Sequence, residues 1–194
     1  MDDGLMLLKR LISFGAGPPI VCAGSTHRDL VERGARDLRI APHRLVGTAP
    51  EALAAAVRAL VALEANESPR DVAVTVLGVP PSHIVVPWHE ATIAGLTLVS
   101  ILEQPVVRRL AARVPSLWPP GPYSLAVVAA EAIACILGRS HRIMSCFVAP
   151  DDSAGTRRRA AALPVRLGAA GVISAAVPSL DVHDRVALEN AMLL

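Results

Sequence analysis

At 194 residues the chain makes one domain, or one and a remnant, and with 53% hydrophobic and 19% charged residues it carries a sizeable core and is not disordered. A net charge of +2 is too small for a nucleic-acid or anionic-membrane binder unless it is clustered, and 3% aromatics speaks against a stacking platform for single strands. The start Met1-Asp2-Asp3 is acidic where a secretory leader is basic, and no apolar run reaches the roughly 18–20 residues of a membrane span. Cys22, Cys135 and Cys146 are widely spaced in apolar settings and form no CxxC motif, as reduced, buried thiols do. These features predict a soluble, cytoplasmic protein.

In chain order, Asp2 or Asp3 caps a helix over 4–14 with Leu5, Leu8, Leu11 and Ile12 on one face. Gly15-Ala16-Gly17-Pro18 ends it, and 19–23 is a short buried strand. The GAG here is no dinucleotide loop, because it precedes a strand instead of following one and lacks a third glycine. Ser25 or Thr26 caps a second helix to Arg39, whose Arg28, Asp29, Glu32, Arg33, Arg36 and Asp37 read as a solvated face. Thr48-Ala49-Pro50-Glu51 is a capping box with proline just inside the helix start. It opens an alanine-rich helix, 52–65, whose smooth surface packs closely and whose one interior cation is Arg58.

The stretch 71–98 organises the rest. Val72 to Leu77 is dense in β-branched residues and reads as a strand; Gly78-Val79-Pro80-Pro81 reverses the chain; Ile84 to Val86 is a second strand, closed by Pro87. This hairpin places Ser82 and His83 at the lip of a sheet. Beyond it come a helix over 103–114 with Arg108, Arg109 and Arg113 on its wet side, a proline-rich break over 115–122, and a helix over 123–137. That helix is apolar nearly all round and is expected to be central. A strand over 143–148, an exposed loop over 149–159, an antiparallel hairpin of 163–167 with 172–177, and an amphipathic helix over 181–193 complete an α+β chain.

This order, with Arg44-Leu45-Val46-Gly47-Thr48 before a helix, Val76-Leu77-Gly78 before a turn, and Leu163 to Val177 before the last helix, resembles the lactate/malate dehydrogenase family over nearly the whole chain. The resemblance implies that 1–48 is the truncated remnant of a Rossmann-like dinucleotide-binding domain and that 49–194 is the C-terminal substrate domain, with antiparallel hairpins packed against helices. It also implies NAD-linked oxidation of the CH–OH group of a small 2-hydroxy acid. That chemistry uses a histidine to take the hydroxyl proton, an aspartate to hold it charged, and an arginine to fork the substrate carboxylate.

Registered on Gly47-Thr48, the aspartate slot falls on Leu53 and the arginine slot on Ala56. The histidine slot falls on Val79 or Pro80, and an asparagine slot near the cofactor on about Ala23. All four hold apolar residues. Arg58 lies two residues past its slot and His83 three or four past its own, so Arg58 is the candidate for a small carboxylate and His83 the candidate displaced base. Tyr123 stands where the family places a substrate-contacting hydroxyl.

The family's glycine-rich loop and acidic ribose ligand belong to βαβ units that this chain is expected to lack, so NAD is implied by resemblance alone and no cofactor-binding residue is assigned. No metal ligand is assigned either: His83, His89 and Glu90 offer ligand types without a fourth member. Ser82-His83 is no hydrolytic dyad, since neighbours on a strand point to opposite faces. Arg157-Arg158-Arg159 reads as a solvated loop. Two functions follow: a truncated or catalytically impaired dehydrogenase, or a non-catalytic binding or assembly module built on the same domain. The domain's role in subunit contacts within the family implies a homo-oligomer, with no nucleic acid and no membrane as partners.

Overall fold

The structure, a computed structural model, describes residues 3–13, 17–150 and 159–193. The expected cap at Asp2, the stop at Gly15-Ala16, most of the loop over 149–159 and Arg157-Arg158 lie outside the described residues. The elements are α1 (Asp3–Ile12), β1 (Ile20–Cys22), α2 (Arg28–Leu38), β2 (Leu45–Gly47), α3 (Ala49–Ala65), β3 (Val72–Ala73), β4 (Leu77–Val79) and β5 (His83–Val85). They continue as β6 (Thr92–Ile93), β7 (Leu96–Thr97), α4 (Leu98–Ile101), α5 (Gln104–Arg113), α6 (Pro122–Ile136), β8 (Ile143–Val148), β9 (Ala161–Gly168), β10 (Gly171–Ala175) and α7 (Val182–Leu193).

One seven-stranded sheet runs β1-β2-β8-β9-β4-β5, with β10 also on β9, and a three-stranded sheet runs β3-β6-β7. Among the described residues only β1 and β2 are parallel; each other pair is antiparallel. The parallel pair expected at the start of the chain is therefore continuous with the antiparallel strands. β9 holds the sheet together. Along one edge it pairs with β8, from Ala161 opposite Val148 to Arg166 opposite Ile143. Its other edge is shared between β4, at Ala162, and β10, from Val165 to Gly168. Gly171, at a φ of +107°, closes the β9–β10 turn against the carbonyl of His43, a space no Cβ enters.

The expected β4–β5 hairpin forms, but Gly78 and Val79, read as part of its turn, are paired within β4, opposite Ile84 and His83. Gly78 is obligatory there: its φ is +87°, and a Cβ would run into the His83 carbonyl oxygen. The strand expected over Val72 to Leu77 is two strands in two sheets. Between them the Val76 N–H leaves the ladder and donates to Ser145 Oγ at 3.1 Å, so a buried hydroxyl on β8 carries the chain from one sheet to the other.

Three local expectations change. No side chain caps α3 at Thr48, whose hydroxyl is buried without a hydrogen-bond partner. Helix α2 starts at Arg28 after His27, not at Ser25 or Thr26; His27 Nδ1 instead accepts the Gly24 N–H at 2.9 Å. Glu32, read as part of a solvated face, is buried and takes Arg159 Nε at 3.0 Å.

The helix expected to be central, α6, is not surrounded: Val128, Ala132 and Cys135 are buried while Tyr123, Val127 and Ile133 are exposed. Hydrophobic composition marks a helix that covers a sheet, but the side it turns outward is set by what packs there. The main core lies between α3, α5 and the small sheet, around Leu53, Val57, Ile93, Leu98 and Leu110. Among the described residues no single helix is long and apolar enough to cross a membrane.

The three thiols are free and buried, as expected. Burial pushes the Cys22 thiol up to about 11, and burial, with Glu51 and Cys135 nearby, raises that of Cys146 further. This disfavours the thiolate at Cys22 and Cys146, and burial closes all three sulfurs off from a bulky disulfide reagent. Ellman's reagent at pH 8 is therefore expected to release no colour from the folded chain and three equivalents after denaturation; fast reaction of one thiol in the native state contradicts this burial.

Candidate functional site

Helix α3 places Glu51 and Arg58 seven residues apart, two turns along one face. Glu51 is 2% exposed and, not being spent on a cap, turns its carboxylate inward. Its Oε1 accepts Arg58 Nη2 at 2.9 Å and Arg142 Nη2 at 3.0 Å, and its Oε2 accepts the Ser145 backbone N–H at 2.8 Å. Arg142 also donates through Nη1 to Glu131 Oε2 on α6 at 2.9 Å. One carboxylate thus ties α3 to β8, and through the Ser145 hydroxyl to the crossing between β3 and β4.

Glu51, Arg58, Arg142 and Ser145 line a cavity of about 410 Å³, completed by Val74, Thr75 and Pro164 among others. Arg58 is 16% exposed and keeps guanidinium N–H groups beyond the one given to Glu51, for a fork that has five. With Arg142 beside it, the cavity wall carries two guanidinium groups that share the buried Glu51 carboxylate, and Arg142 is paired with Glu131 as well.

Among the other sequence candidates, His83 sits exposed on β5, at the rim of the large sheet, and Tyr123 is 88% exposed in the first turn of α6. Neither lines the cavity with Arg58. Leu53 is 0% exposed and Pro80 is buried, while Ala56 and Val79 are partly buried. Arg58 is not a shifted version of the Ala56 slot, because two residues rotate a side chain by roughly 200° about the helix axis. Glu51 and Arg58 face one way, and Leu53 and Ala56 the other. His83, His89 and Glu90 do not converge as ligands; among the described residues His89 gathers instead with Asp181 and Asp184.

Glu51, Arg142 and Ser145 were not singled out by sequence. The only signal was Glu51, whose spacing from Thr48 serves a cap and a buried ion pair equally well. Arg142 and Ser145 carry no local motif.

The sheet order, the two hairpins and the flanking helices define the fold of the malate and lactate dehydrogenases. The malate dehydrogenase of Aeropyrum pernix superposes with a TM-score of 0.87 over 98% of this chain and 66% of that one, at 13% identity. The Salinibacter ruber malate dehydrogenase gives 0.85 over 97% and 65%, at 19% identity. A minor L-lactate dehydrogenase of Enterococcus mundtii gives 0.83 over 97% and 64%, at 16% identity.

No family model matches the sequence. A malate dehydrogenase of Thermomicrobium roseum is 28% identical over 158 residues, 77% of this chain and 51% of that protein. Sequence and fold together make this chain a relative of the lactate/malate dehydrogenase family. It spans about half the length of the curated relative it matches.

Proposed function

We propose that the chain is a lactate/malate dehydrogenase-type oxidoreductase impaired in catalysis: a 2-hydroxy acid scaffold that no longer runs NAD-linked CH–OH oxidation at the family's own positions. The observation behind this reading is the state of those positions. Leu53 is sealed in the main core at 0% exposure, and Pro80 is buried and offers no proton acceptor on its side chain. General acid–base transfer alone is worth roughly 10²–10⁴ in rate, and here its orienting carboxylate and its substrate clamp are hydrocarbon as well. The first strand-to-helix turn in the described chain, Gly24-Ser25-Thr26-His27, lacks the glycine spacing that seats a pyrophosphate on a helix start. NAD binding by this chain alone is therefore weak. A cytoplasmic setting suits its three free thiols.

The test is oxidation of NADH at 340 nm with oxaloacetate or pyruvate, alongside NADH fluorescence. The expected results are no turnover above the blank and no saturable binding. Turnover that His83→Ala abolishes would establish a displaced base and overturn the reading.

The second reading is a non-catalytic binding or assembly module. It is favoured by the cavity at Arg58 and Arg142, which suits a small carboxylate, and by the outward apolar face of α6. Tyr123, Val127, Ile133 and Leu137 are all exposed along that face, a surface that suits a second copy of the chain. Light scattering on the purified protein, with Val127→Asp as the interface variant, distinguishes a dimer from a monomer.

A further inference from the structure

We propose that His89, Asp181 and Asp184 form a site for one divalent transition-metal cation, which pins the segment after β5 to the start of α7.

An aspartate before a helix and another in its first turn are ordinary, and Asp181 does cap α7 by accepting the Asp184 N–H at 2.8 Å. His89 is what a helix start does not need. It arrives from a different part of the chain, and its Nε2 lies 3.0 Å from the carbonyl oxygen of Ser179. A carbonyl only accepts, so Nε2 carries the ring proton and Nδ1 is left as a lone pair. That lone pair lies 3.9 Å from Asp184 Oδ2. With the ring neutral, neither atom can donate to the other.

The separation is too long for a hydrogen bond but suits two ligands of one ion. Donors bound at about 2.0–2.2 Å to a shared metal stand roughly 3–4 Å apart. One ligand atom from each of His89, Asp181 and Asp184 lies within 4.8 Å of the others. Two of the three are already oriented from behind. The Ser179 carbonyl holds the imidazole, and the Asp184 N–H holds Asp181 Oδ1, leaving Asp181 Oδ2 free. This is how backing groups fix metal ligands. One neutral imidazole and two carboxylates balance a divalent charge, and the mixed nitrogen and oxygen set suits zinc, cobalt or manganese over calcium.

The experiment uses the whole chain, stripped with EDTA and titrated with Zn²⁺ by calorimetry and with Co²⁺ by visible absorption. The expected results are one equivalent bound, a Co²⁺ ligand-field band and a rise in Tm. His89→Ala and Asp184→Asn each weaken binding at least tenfold, and His183→Ala, a neighbouring histidine outside the trio, leaves it unchanged. The proposal is overturned by the absence of saturable binding, or by binding that survives His89→Ala. It is also overturned if Zn²⁺ leaves the Tm of the stripped protein unchanged.

Discussion

Glu51→Ala is expected to lower the folding free energy by about 3 kcal/mol, the lower end of the range for breaking a buried ion pair by removing one partner. The lost attraction is only part of this. Without the carboxylate, the Ser145 N–H is buried with no acceptor, and Arg58 has no counter-charge for a guanidinium that is 16% exposed. Arg142 softens the loss, because at 38% exposure it can turn toward water and keeps Glu131. Glu51→Gln spares the shape but not the charge, and places an amide N–H₂ among arginine donors, so it recovers little. Replacing Glu51, Arg58 and Arg142 together with leucine is expected to be less damaging than Glu51→Ala alone, since the stranded charges leave with their partner. Urea unfolding followed by circular dichroism measures all three variants; an unchanged slope with a lower midpoint identifies a loss of stability. A loss under 1 kcal/mol for Glu51→Ala would mean that water already solvates the pair.

Chain-local signals carried the hairpins. Gly78 with two prolines, and Gly168 to Gly171 between apolar runs, signal reversals whatever surrounds them; the second forms where expected, while the first turns over residues 80–82, with Gly78 and Val79 paired inside β4. Helix α3 was legible for the same reason, with alanines throughout and Asn66 in the left-handed conformation at its end. What escaped depends on partners distant in sequence. The β-branched run from Val72 announces extended backbone but not two sheets, because the Ser145 hydroxyl that takes the Val76 N–H is 69 residues away. Glu51 satisfies the capping pattern, yet three donors, on α3, on β8 and at Arg142 just before β8, outbid a single helix end. Glu32 sits among charges in the sequence and is buried all the same, next to Arg159. His89 was grouped with its sequence neighbours, whereas its aspartate partners stand more than ninety residues on. The family resemblance was legible because it rests on the order of many elements. The chemistry at its slots was legible only as a replacement by hydrocarbon.

Leu53→Asp is expected to be the most damaging single change in the chain. Leu53 is 0% exposed and packs in the cluster that holds Val57, Val86 and Leu110. Losing a buried leucine side chain costs about 2–5 kcal/mol, and burying a polar group with no partner adds about 1–3 kcal/mol. An ionised carboxylate there is costlier still, so the acid stays protonated. The sum is a large share of the roughly 5–15 kcal/mol that holds a domain together. The purified variant should give a broad, low-temperature transition or fail to fold. The double variant Leu53→Asp with Pro80→His tests whether these two positions face each other, as the family register requires. If they do, the imidazole supplies the missing partner, and the pair recovers about 0.5–3 kcal/mol relative to the sum of the single changes. If the two changes only add, Leu53 and Pro80 do not share a cleft. The apolar slots would then say nothing about lost proton transfer, even though the fold stands.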